Sequence, residues 1–419
     1  MGKNIGFISF RISGTDGVSL ETKKWAEVLE EMGNECYYMA GDLDTPPEQS
    51  FVVPEAHFKH TEVKELFAMA FSSALRPRDL TSRLHALREV IKIALYEFVS
   101  KFDLDVIIPQ NVLTIPLNIS LALALTEFIA ETEIKTIAHH HDFFWERKRF
   151  LRNCVWDYFN MCYPPHLNSI EHVVINSSAQ NQLALRTGIA ATLIPNVMKF
   201  EDPPTPVDEY ARDVRQVMGI PDSQMMVLQP TRIVQRKGIE HSIELMSRLD
   251  LDSVLVISHA SGDEGYEYEE RVREYAEMFK VNALFIEQII DDARGTTPDG
   301  KKIYALQDVY PHADLVTYPS IQEGFGNAFL ETLYFKKPIL INNYSIYFYD
   351  IKPKGFDVIE MNDYITKATV TETRELMQNP KRVEEMVEKN YELGLKYYSF
   401  TVLKQKLDAL LGVFFGKDR

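Results

Sequence analysis

The residues best suited to chemistry lie in the stretch EGFGNAFLE, which begins at Glu323 and ends at Glu331. Gly324 and Gly326 let backbone N–H groups approach an anion closely, and the start of a helix adds partial positive charge. A carboxylate accepts paired hydrogen bonds from vicinal hydroxyls. The stretch therefore predicts a phosphate site between two acids, which suits a sugar and a ribose on either side of a diphosphate. The alternative is an acidic helix start that only complements the helix dipole.

The elements around this stretch predict how it is positioned. Residues 315–318 form a short apolar run typical of a buried strand, and residues 319–326 supply the loop after it. From Asn327 the apolar residues recur at helical spacing, and residues 338–341 predict the next strand. The stretch is therefore expected to form a strand, a glycine-rich loop, a helix and a second strand.

A second loop of the same kind carries two cations. The sequence predicts a strand at 226–229, the loop PTRIVQRKG, and a helix at 239–249. Arg232 and Lys237 then lie at the carboxyl edge of a strand, where two fixed cations can neutralise a leaving diphosphate. Surface charges that simply precede a helix are the alternative.

The N-terminal part begins in a similar way, with a strand at 5–10, the loop SGTDGVS and a helix at about 18–32. This order is the opening of a doubly wound sheet. Gly14 and Gly17 would allow a ligand to approach the loop. An ordinary turn, with Ser or Asp capping the helix, explains the same residues equally well.

Three consecutive histidines, at 139–141, lie at the carboxyl end of another predicted strand, 134–139, in the stretch AHHHDFFWERKRFLR. Consecutive strand side chains point to opposite faces, so only His139 and His141 can share a side. No second ligand cluster with suitable spacing accompanies them, so we expect no metal site. Buried histidines with satisfied hydrogen bonds are the commoner case.

Basic and amide side chains near these strand ends are further candidates for binding. A basic turn at 147–152 contains Arg147 and Arg149, and it predicts either a solvated helix face or a patch for an acceptor phosphate or carboxylate. Gln110 and Asn111 follow the strand predicted at 105–109. They can hydrogen-bond a sugar hydroxyl or cap the helix after them.

Composition limits the function classes. The 419 residues suit two domains of about 200 residues each, and a net charge of −16 disfavours nucleic-acid binding. Three cysteines without a C-x-x-C pair fit a reducing compartment and predict inert core thiols. The first residues lack the apolar run of a signal peptide, and no stretch approaches the roughly 18 apolar residues of a membrane span. We therefore expect a cytoplasmic protein without an integral membrane segment.

Strand and helix patterns alternate along the chain, which predicts an α/β fold with mainly parallel sheets. Further strands are predicted at 36–40, 105–109, 172–176, 253–258 and 283–286, and helices at 79–101, 114–130, 380–396 and 400–415. Residues 41–71 look irregular, and residues 342–356 are left without an assignment. The predicted domains are 1–200 for the acceptor, 201–396 for a nucleotide sugar, and a C-terminal helix at 397–419 that packs back on the first domain.

Taken together, these motifs resemble a known family. EGFGNAFLE is similar to the E-x7-E signature of retaining nucleotide-sugar glycosyltransferases of family 4. Arg232-x4-Lys237-Gly resembles the family's diphosphate clamp, residues 194–196 resemble its IPN strand end, and residues 16–18 stand where members usually carry Gly-Gly-Val. The resemblance implies the GT-B fold, in which two Rossmann-like doubly wound domains face a central cleft.

The resemblance also implies roles for single residues. The catalytic residues would be His141, which orients the sugar, Arg232 and Lys237, which assist diphosphate departure, and Glu323, which holds sugar hydroxyls. Donor contacts would come from Gly17, Arg232, Lys237, Glu323, the amides of Gly324, Phe325, Gly326 and Asn327, and Glu331 at the ribose. Acceptor contacts would come from Asp16, Gln110, Asn111, Asp142, Arg147 and Arg149. A loop at 259–265 would lie beside the donor, and neither a metal nor another cofactor would be required.

The implied activity is retaining transfer of a hexose from GDP-mannose or UDP-glucose to a small anionic or sugar acceptor. The run of motifs looks most like the branch that builds small anionic or compatible-solute glycosides, such as the mannosylglucosyl-phosphoglycerate synthases. Two alternatives stay open: a sucrose- or trehalose-type synthase with a neutral acceptor, and a non-catalytic sensor of nucleotide sugars. The oligomeric state also stays open.

Overall fold

The computed structural model describes residues 2–259 and 266–416, and the chain divides into two compact units. The first unit extends to Asn196 and includes the residues from Thr401 onward, and the second runs from Val197 to Phe400. Most of the loop predicted beside the donor, residues 260–265, lies outside the described residues.

The first unit is built on a parallel sheet. Its strands are β1 (Asn4–Ile8), β2 (Glu35–Ala40), β3 (Ser50–Val52), β4 (Val106–Pro109), β5 (Lys135–His140), β6 (Ile170–Val174) and β7 (Thr192–Leu193). Their spatial order is β3-β2-β1-β4-β5-β6-β7, and each described neighbouring pair is parallel. The chain reverses direction along the sheet between β3 and β4, as in a doubly wound fold.

Helices connect these strands and cover the sheet. They are α1 (Gly17–Glu31), α2 (Thr61–Phe71), α3 (Leu80–Phe102), α4 (Ile119–Thr132), α5 (Lys148–Leu151), α6 (Trp156–Cys162) and α7 (Ser177–Thr187). The strands are apolar on both sides because helices pack on both faces of such a sheet, and Val106, Ile107 and Ile108 of β4 are fully buried.

Residues 41–71 are more regular than the sequence predicts. The segment contains the edge strand β3, and its last eleven residues form α2. Val63, Leu66 and Ala70 are spaced along one face of α2 and are buried in the core of the first unit. The prediction of an irregular segment was therefore wrong for residues 61–71, where the apolar stripe stabilises a helix.

The helix predicted from residue 114 begins five residues later, at Ile119. The side chain of Asn118 accepts a hydrogen bond of 3.1 Å from the backbone N–H of Leu121, which is the geometry of an N-cap. Pro116 also disfavours a helical conformation for the residue before it. The preceding residues therefore form a turn at the carboxyl end of β4.

The second unit repeats the plan. Its strands are β8 (Met225–Gln229), β9 (Ser253–Ile257), β10 (Ala283–Phe285), β11 (Gly295–Thr296), β12 (Lys302–Ile303), β13 (Leu315–Tyr318), β14 (Ile339–Asn342) and β15 (Ile359–Met361). The main sheet has the order β10-β9-β8-β13-β14-β15 and its described pairs are parallel, whereas β11 and β12 form an antiparallel pair. Two Rossmann-like α/β sheets confirm the predicted fold class.

The helices of the second unit are α8 (Val214–Val217), α9 (Ile239–Leu249), α10 (Glu267–Met278), α11 (Leu306–Val309), α12 (Asn327–Tyr334), α13 (Lys367–Met377) and α14 (Pro380–Tyr398). Residues 342–356, which had no assignment, contain a π-helical turn at Tyr347–Ile351 followed by a 3-10 turn at Lys352–Lys354. In the described ranges, no helix combines the length and the apolar character that crossing a membrane requires.

The last helix, α15 (Phe400–Phe415), packs against strands of the first unit. Its residues Leu403 and Leu407 are fully buried, and Lys406 Nζ donates a hydrogen bond of 2.9 Å to the carbonyl of Leu193 in β7. The ring of Phe415 lies under the ammonium groups of Lys3 and Lys135 at 4.2 and 4.0 Å.

Candidate active site

The loop between β13 and α12 brings the predicted phosphate site to the carboxyl end of a parallel strand. Gly326 immediately precedes α12 and has a backbone φ of 122°, a value that L side chains rarely adopt. A Cβ added there would lie 2.6 Å from the hydroxyl oxygen of Tyr344. Glycine is therefore required where the chain enters the helix, and the amide groups of residues 324–327 lie at its positive end.

Glu323, the first acid of the pair, is buried with 9 % of its side chain exposed. Its two oxygens accept hydrogen bonds from different cations: Oε1 from Lys237 Nζ, and Oε2 from Arg236 Nη1 at 3.0 Å. Burial alone raises the pKa of Glu323, but the charges of Lys237 and Arg236 outweigh burial and hold the pKa below its ordinary value. The carboxyl group is therefore ionised at neutral pH.

Lys237 lies in a 3-10 turn, Gln235–Lys237, between β8 and α9. The side chain is buried, and burial lowers the pKa of Lys237 although the Glu323 carboxylate opposes this shift. Gly238 ends the turn with a φ of 59°, and a Cβ there would lie 2.6 Å from the carbonyl oxygen of Pro319. The two loops are therefore packed closely enough for Lys237 and Glu323 to meet.

Arg232 differs from Lys237 in its surroundings. Its side chain is exposed, and in the part of the chain that the structure describes it forms no hydrogen bond or ion pair with another residue. Its charge acts on His259, whose pKa is lowered by burial and further by Arg232. The structure therefore joins Lys237 to Glu323 and leaves Arg232 facing solvent.

Glu331, the second acid, lies on α12 and is half-buried. The hydroxyl of the fully buried Tyr310 donates a hydrogen bond of 2.9 Å to Glu331 Oε2. This bond fixes the orientation of the carboxylate on the helix. The predicted ribose contact of Glu331 stays a prediction.

Phe325 contributes differently from its neighbours in the loop. Its side chain is 3 % exposed, its ring centroid lies 5.3 Å from that of Tyr398, and its carbonyl accepts a hydrogen bond of 2.7 Å from Tyr344. The side chain is therefore a packing residue, and the predicted contact with a donor falls to the backbone N–H.

In the first unit, the three histidines alternate as predicted. The rings of His139 and His141 lie on the same side with centroids 4.3 Å apart, and His139 stacks on Trp25 at 4.1 Å. His140 points the other way, and its Nε2 lies 2.9 Å from Nδ1 of His172. Among residues 2–259 and 266–416, no group of three or more His, Cys, Asp or Glu side chains is arranged to hold a metal ion.

His141 is held at the carboxyl end of β5 by Gln110. Its Nε2 lies 3.0 Å from Oε1 of Gln110, which accepts a hydrogen bond from the tautomer that carries its proton on Nε2. Burial lowers the pKa of His141 to about 4, although Asp142 and Asp16 oppose the shift. The imidazole is therefore neutral at pH 7 and suited to orienting a hydroxyl group.

Asn111 organises the loop that carries His141. It has a left-handed φ of 62°, and its Oδ1 accepts hydrogen bonds from the backbone N–H groups of His141 and Asp142 and from the hydroxyl of Thr114. Its Nδ2 donates to Asp142 Oδ1 at 2.7 Å. Both ends of the amide are thus engaged within the protein, and Asn111 acts as a support for the loop.

Asp16 is the N-cap of α1. Its Oδ1 accepts hydrogen bonds from the backbone N–H groups of Val18 and Ser19 at 3.1 and 3.3 Å, and its Oδ2 pairs with Arg11 at 2.9 Å. The carboxylate, predicted to meet the acceptor, is therefore engaged in starting the helix, whose first residue is Gly17.

The basic turn is exposed. Arg147 forms an ion pair with Asp142, and the guanidinium of Arg149 lies 4.7 Å from the ring centroid of Phe150. The structure thus brings the predicted acceptor residues Gln110, Asn111, Asp142 and Arg147 into one network around His141. Arg149 is exposed.

Sequence reasoning missed Arg236 and Tyr310, the partners that orient the two glutamates. The sequence did contain a signal for Arg236, because this residue directly precedes Lys237 and two adjacent cations in one turn can both reach a single carboxylate. Tyr310 had none, because it lies 21 residues before Glu331 and only the fold brings them together.

Comparison with known proteins gives consistent matches. Residues 211–393 match the family model of glycosyl transferases group 1. A mannosylglucosylglycerate synthase of Petrotoga mobilis is 34 % identical over 382 residues, which cover 85 % of this chain and 86 % of the relative. A mannosylglucosylglycerate synthase of Thermotoga maritima is 32 % identical over 439 residues, covering 96 % of this chain and 98 % of the relative.

Solved structures match over nearly the whole chain. A sucrose-phosphate synthase from Thermosynechococcus elongatus aligns with a TM-score of 0.69 at 13 % identity and covers 99 % of both chains. At this identity the likeness concerns the fold alone, which comprises the two Rossmann-like units described above.

Proposed function

Because the chain belongs to the glycosyl transferases of group 1, we propose that it transfers a hexose from a nucleotide sugar to a small anionic acceptor. The membership establishes a sugar-transferring enzyme with the GT-B fold. The proposal adds the class of the acceptor and the roles of single residues.

The relatives direct the choice of substrates. Their name describes a product in which mannose, glucose and glycerate are joined. We therefore propose GDP-mannose, rather than UDP-glucose, as the donor and glucosylglycerate or its phosphorylated form as the acceptor. Transfer to a neutral sugar, as in a sucrose- or trehalose-type synthase, has less support because those matches rest on the fold alone.

The observation that carries the proposal is the buried, ionised Glu323 beside the start of α12, held by Lys237 and Arg236. An ionised carboxylate can accept hydrogen bonds from two hydroxyls of the donor sugar. The amides of residues 324–327 and the exposed charge of Arg232 supply positive potential for the adjoining diphosphate. Glu331 is proposed to bind the ribose.

The proposed reaction breaks the bond between the anomeric carbon and the diphosphate oxygen. The acceptor hydroxyl attacks the anomeric carbon from the same face, and its proton passes to the leaving diphosphate. Arg232, Lys237 and the helix amides stabilise the negative charge that develops there. Neutral His141 orients the sugar. The route retains the anomeric configuration and requires no protein nucleophile and no metal ion.

A cytoplasmic location is part of the proposal. The thiols of Cys36, Cys154 and Cys162 are free and buried, which fits a reducing compartment. Burial raises the pKa of Cys162 to about 12, so this thiol is unreactive at neutral pH.

The test incubates the purified protein, with and without EDTA, with GDP-mannose, UDP-glucose and other nucleotide sugars. Each donor is tested alone, with glucosylglycerate, with its phosphorylated form and with neutral glucose. We expect release of GDP that is fastest with an anionic acceptor and unaffected by EDTA, and NMR of the product should show the anomeric configuration of the donor.

Other results would replace this proposal. Faster turnover with neutral glucose would favour the neutral-acceptor synthase. Thermal stabilisation by a donor that is never consumed would favour a sensor, since a binder stabilises by mass action alone. Loss of activity in EDTA that is restored by a divalent cation would contradict the metal-independent route.

A further inference from the structure

Glu323 lies between two cations of one short turn, Gln235–Lys237. Lys237 Nζ donates to one carboxylate oxygen, and Arg236 Nη1 donates to the other at 3.0 Å. The exposed fraction of the side chain is 39 % for Arg236 and 11 % for Lys237. Arg236 is therefore the outer partner of the carboxylate and Lys237 the inner one.

The loop that carries Glu323 is also attached to Arg236 through the backbone. The N–H of Ile321 donates a hydrogen bond of 2.8 Å to the carbonyl of Arg236. The guanidinium adds a longer contact of 3.4 Å to the carbonyl of Gln322. Because the shorter bond does not involve the side chain, replacing the Arg236 side chain is expected to leave the loop in place.

In the proposed reaction, two negative groups compete for the ammonium group of Lys237. It is paired with Glu323 in the structure, and the donor diphosphate would attract the same ammonium group. A buried carboxylate that loses its cation is driven to take up a proton. Among the described residues, the hydroxyls of Tyr318, Ser320 and Tyr344 also act on Glu323, and they carry no charge at neutral pH. A second cation is therefore needed while the donor is bound.

We propose that Arg236 is a positioning residue for the donor sugar, which keeps Glu323 ionised and correctly oriented while Lys237 neutralises the diphosphate. The inference rests on the proposed function, in which Glu323 binds hydroxyls of the transferred sugar. A guanidinium suits this role because it stays charged at every working pH. It donates to Oε2, so the other oxygen can turn to the sugar when Lys237 moves away.

The experiment compares the wild-type enzyme with Arg236→Gln from the lowest pH at which both proteins stay folded up to pH 9. We expect kcat/KM for GDP-mannose to fall about 10- to 100-fold at neutral pH, because a hydrogen bond to a charged group is lost. The acid limb of the pH profile, where kcat/KM falls as the pH is lowered, should move upward by about 1 pH unit or more, because Glu323 has lost an opposite charge. Affinity for GDP alone should fall less than affinity for GDP-mannose, because GDP lacks the sugar that Glu323 binds.

Matched variants separate positioning from a structural role. Arg236→Lys keeps the charge and should restore part of the activity and the position of the acid limb. Arg271→Gln changes an exposed arginine on α10 and should leave both quantities unchanged. Adding Arg236→Gln to Glu323→Gln should cost little further activity, because a residue that acts through Glu323 has no effect without it.

An unmoved acid limb with unchanged kcat/KM in Arg236→Gln, or an equal loss of affinity for GDP and GDP-mannose, would overturn the inference. The inference would also be overturned if the losses of activity caused by Arg236→Gln and Glu323→Gln were fully additive. If the wild-type protein consumes no nucleotide sugar, the proposed function itself fails, and this result is distinct from an active wild type with an unaffected Arg236→Gln.

Discussion

Three cations of the loop between β8 and α9 have different partners. Arg236 and Lys237 contact the carboxylate of Glu323, whereas Arg232 is exposed and, within residues 2–259 and 266–416, unpaired. A charge that already has a partner must give it up to bind an anion, but an exposed unpaired charge does not. Arg232 is therefore the side chain of this loop that is most available to a diphosphate.

Replacing Arg232 by alanine tests this distribution of roles. We expect kcat/KM for the donor to fall about 100- to 1,000-fold, because a preorganised charge on the leaving group is lost. The melting temperature should change little because the side chain is exposed and makes no bond within the described chain. Steady-state kinetics and thermal unfolding measure the two effects. Arg271→Ala serves as the control, and near-normal activity of Arg232→Ala would count against the proposed mechanism.

The sequence predicted the residue types of this site but not their pairing. Glu323, Glu331, Lys237 and Arg232 were all selected from motif spacing. Whether a cation reaches a carboxylate depends on the path of two loops that are more than 80 residues apart in the chain, as for Arg236 and Glu323. Spacing along one strand or helix carries no information on such a contact.

Buried histidines predict a pH dependence of stability. Burial lowers the pKa of His141 and of His172 to about 4 and lowers those of His139 and His140 well below the ordinary value. The unfolded chain binds protons at histidine below about pH 6.5, whereas in the folded chain these histidines stay neutral well below that pH, down to about pH 4 for His141 and His172. This contribution to stability is therefore complete above pH 6.5 and is lost as the pH falls toward 4.

The measurement is the unfolding free energy between pH 7.5 and pH 5. We expect a decline with a slope of up to about 1.4 kcal/mol per pH unit for each histidine that stays neutral in the folded state. A double substitution, His140→Phe with His172→Phe, removes two of these groups and should flatten the decline whatever its effect at pH 7.5. An unchanged slope would contradict this account.

At the scale of elements, the sequence predicted best where one periodicity extends over a complete segment. Helix α9 and strand β13 have the predicted bounds, because their apolar residues repeat without interruption between turn residues. Helix α2 was missed because its stripe of Val63, Leu66 and Ala70 follows a segment with Pro46, Pro47 and scattered aromatic residues. Its stability comes from packing in the core, which the local pattern reveals only in part.

The junction of α12 and the loop that precedes it is tested by Gly326→Ala. Its φ of 122° is unfavourable for alanine, and the new Cβ would lie 2.6 Å from the Tyr344 hydroxyl, which donates to the carbonyl of Phe325. We expect a loss of about 1–3 kcal/mol of unfolding free energy, together with a large loss of donor affinity as the amides move.

Gly295→Ala provides the comparison within the same unit. Gly295 lies in β11, and a Cβ added there would meet no atom within 4 Å among the described residues. This substitution should leave stability and donor affinity nearly unchanged. Similar behaviour of the two variants, measured by chemical unfolding and by calorimetric titration with GDP, would show that Gly326 has no special backbone role.

At the scale of the molecule, the chain builds two units that each have their own sheet and core. The residues predicted to bind the donor lie mainly in the second unit, which is one continuous segment. The first unit is discontinuous because α15 returns to it from the end of the chain. We therefore expect damage to α15 to destabilise the first unit and to leave the nucleotide binding proposed for the second unit unchanged.

Leu407→Ala tests that expectation. Leu407 is fully buried on α15, and truncation of a buried leucine costs about 2–5 kcal/mol of unfolding free energy. Lys404→Ala, on the exposed side of the same helix, should cost little. At temperatures where Leu407→Ala stays folded, calorimetry should give the wild-type affinity for GDP, because the groups proposed to hold the diphosphate belong to the other unit. A parallel loss of stability and GDP affinity would contradict this expectation, because it would show that GDP binding depends on α15.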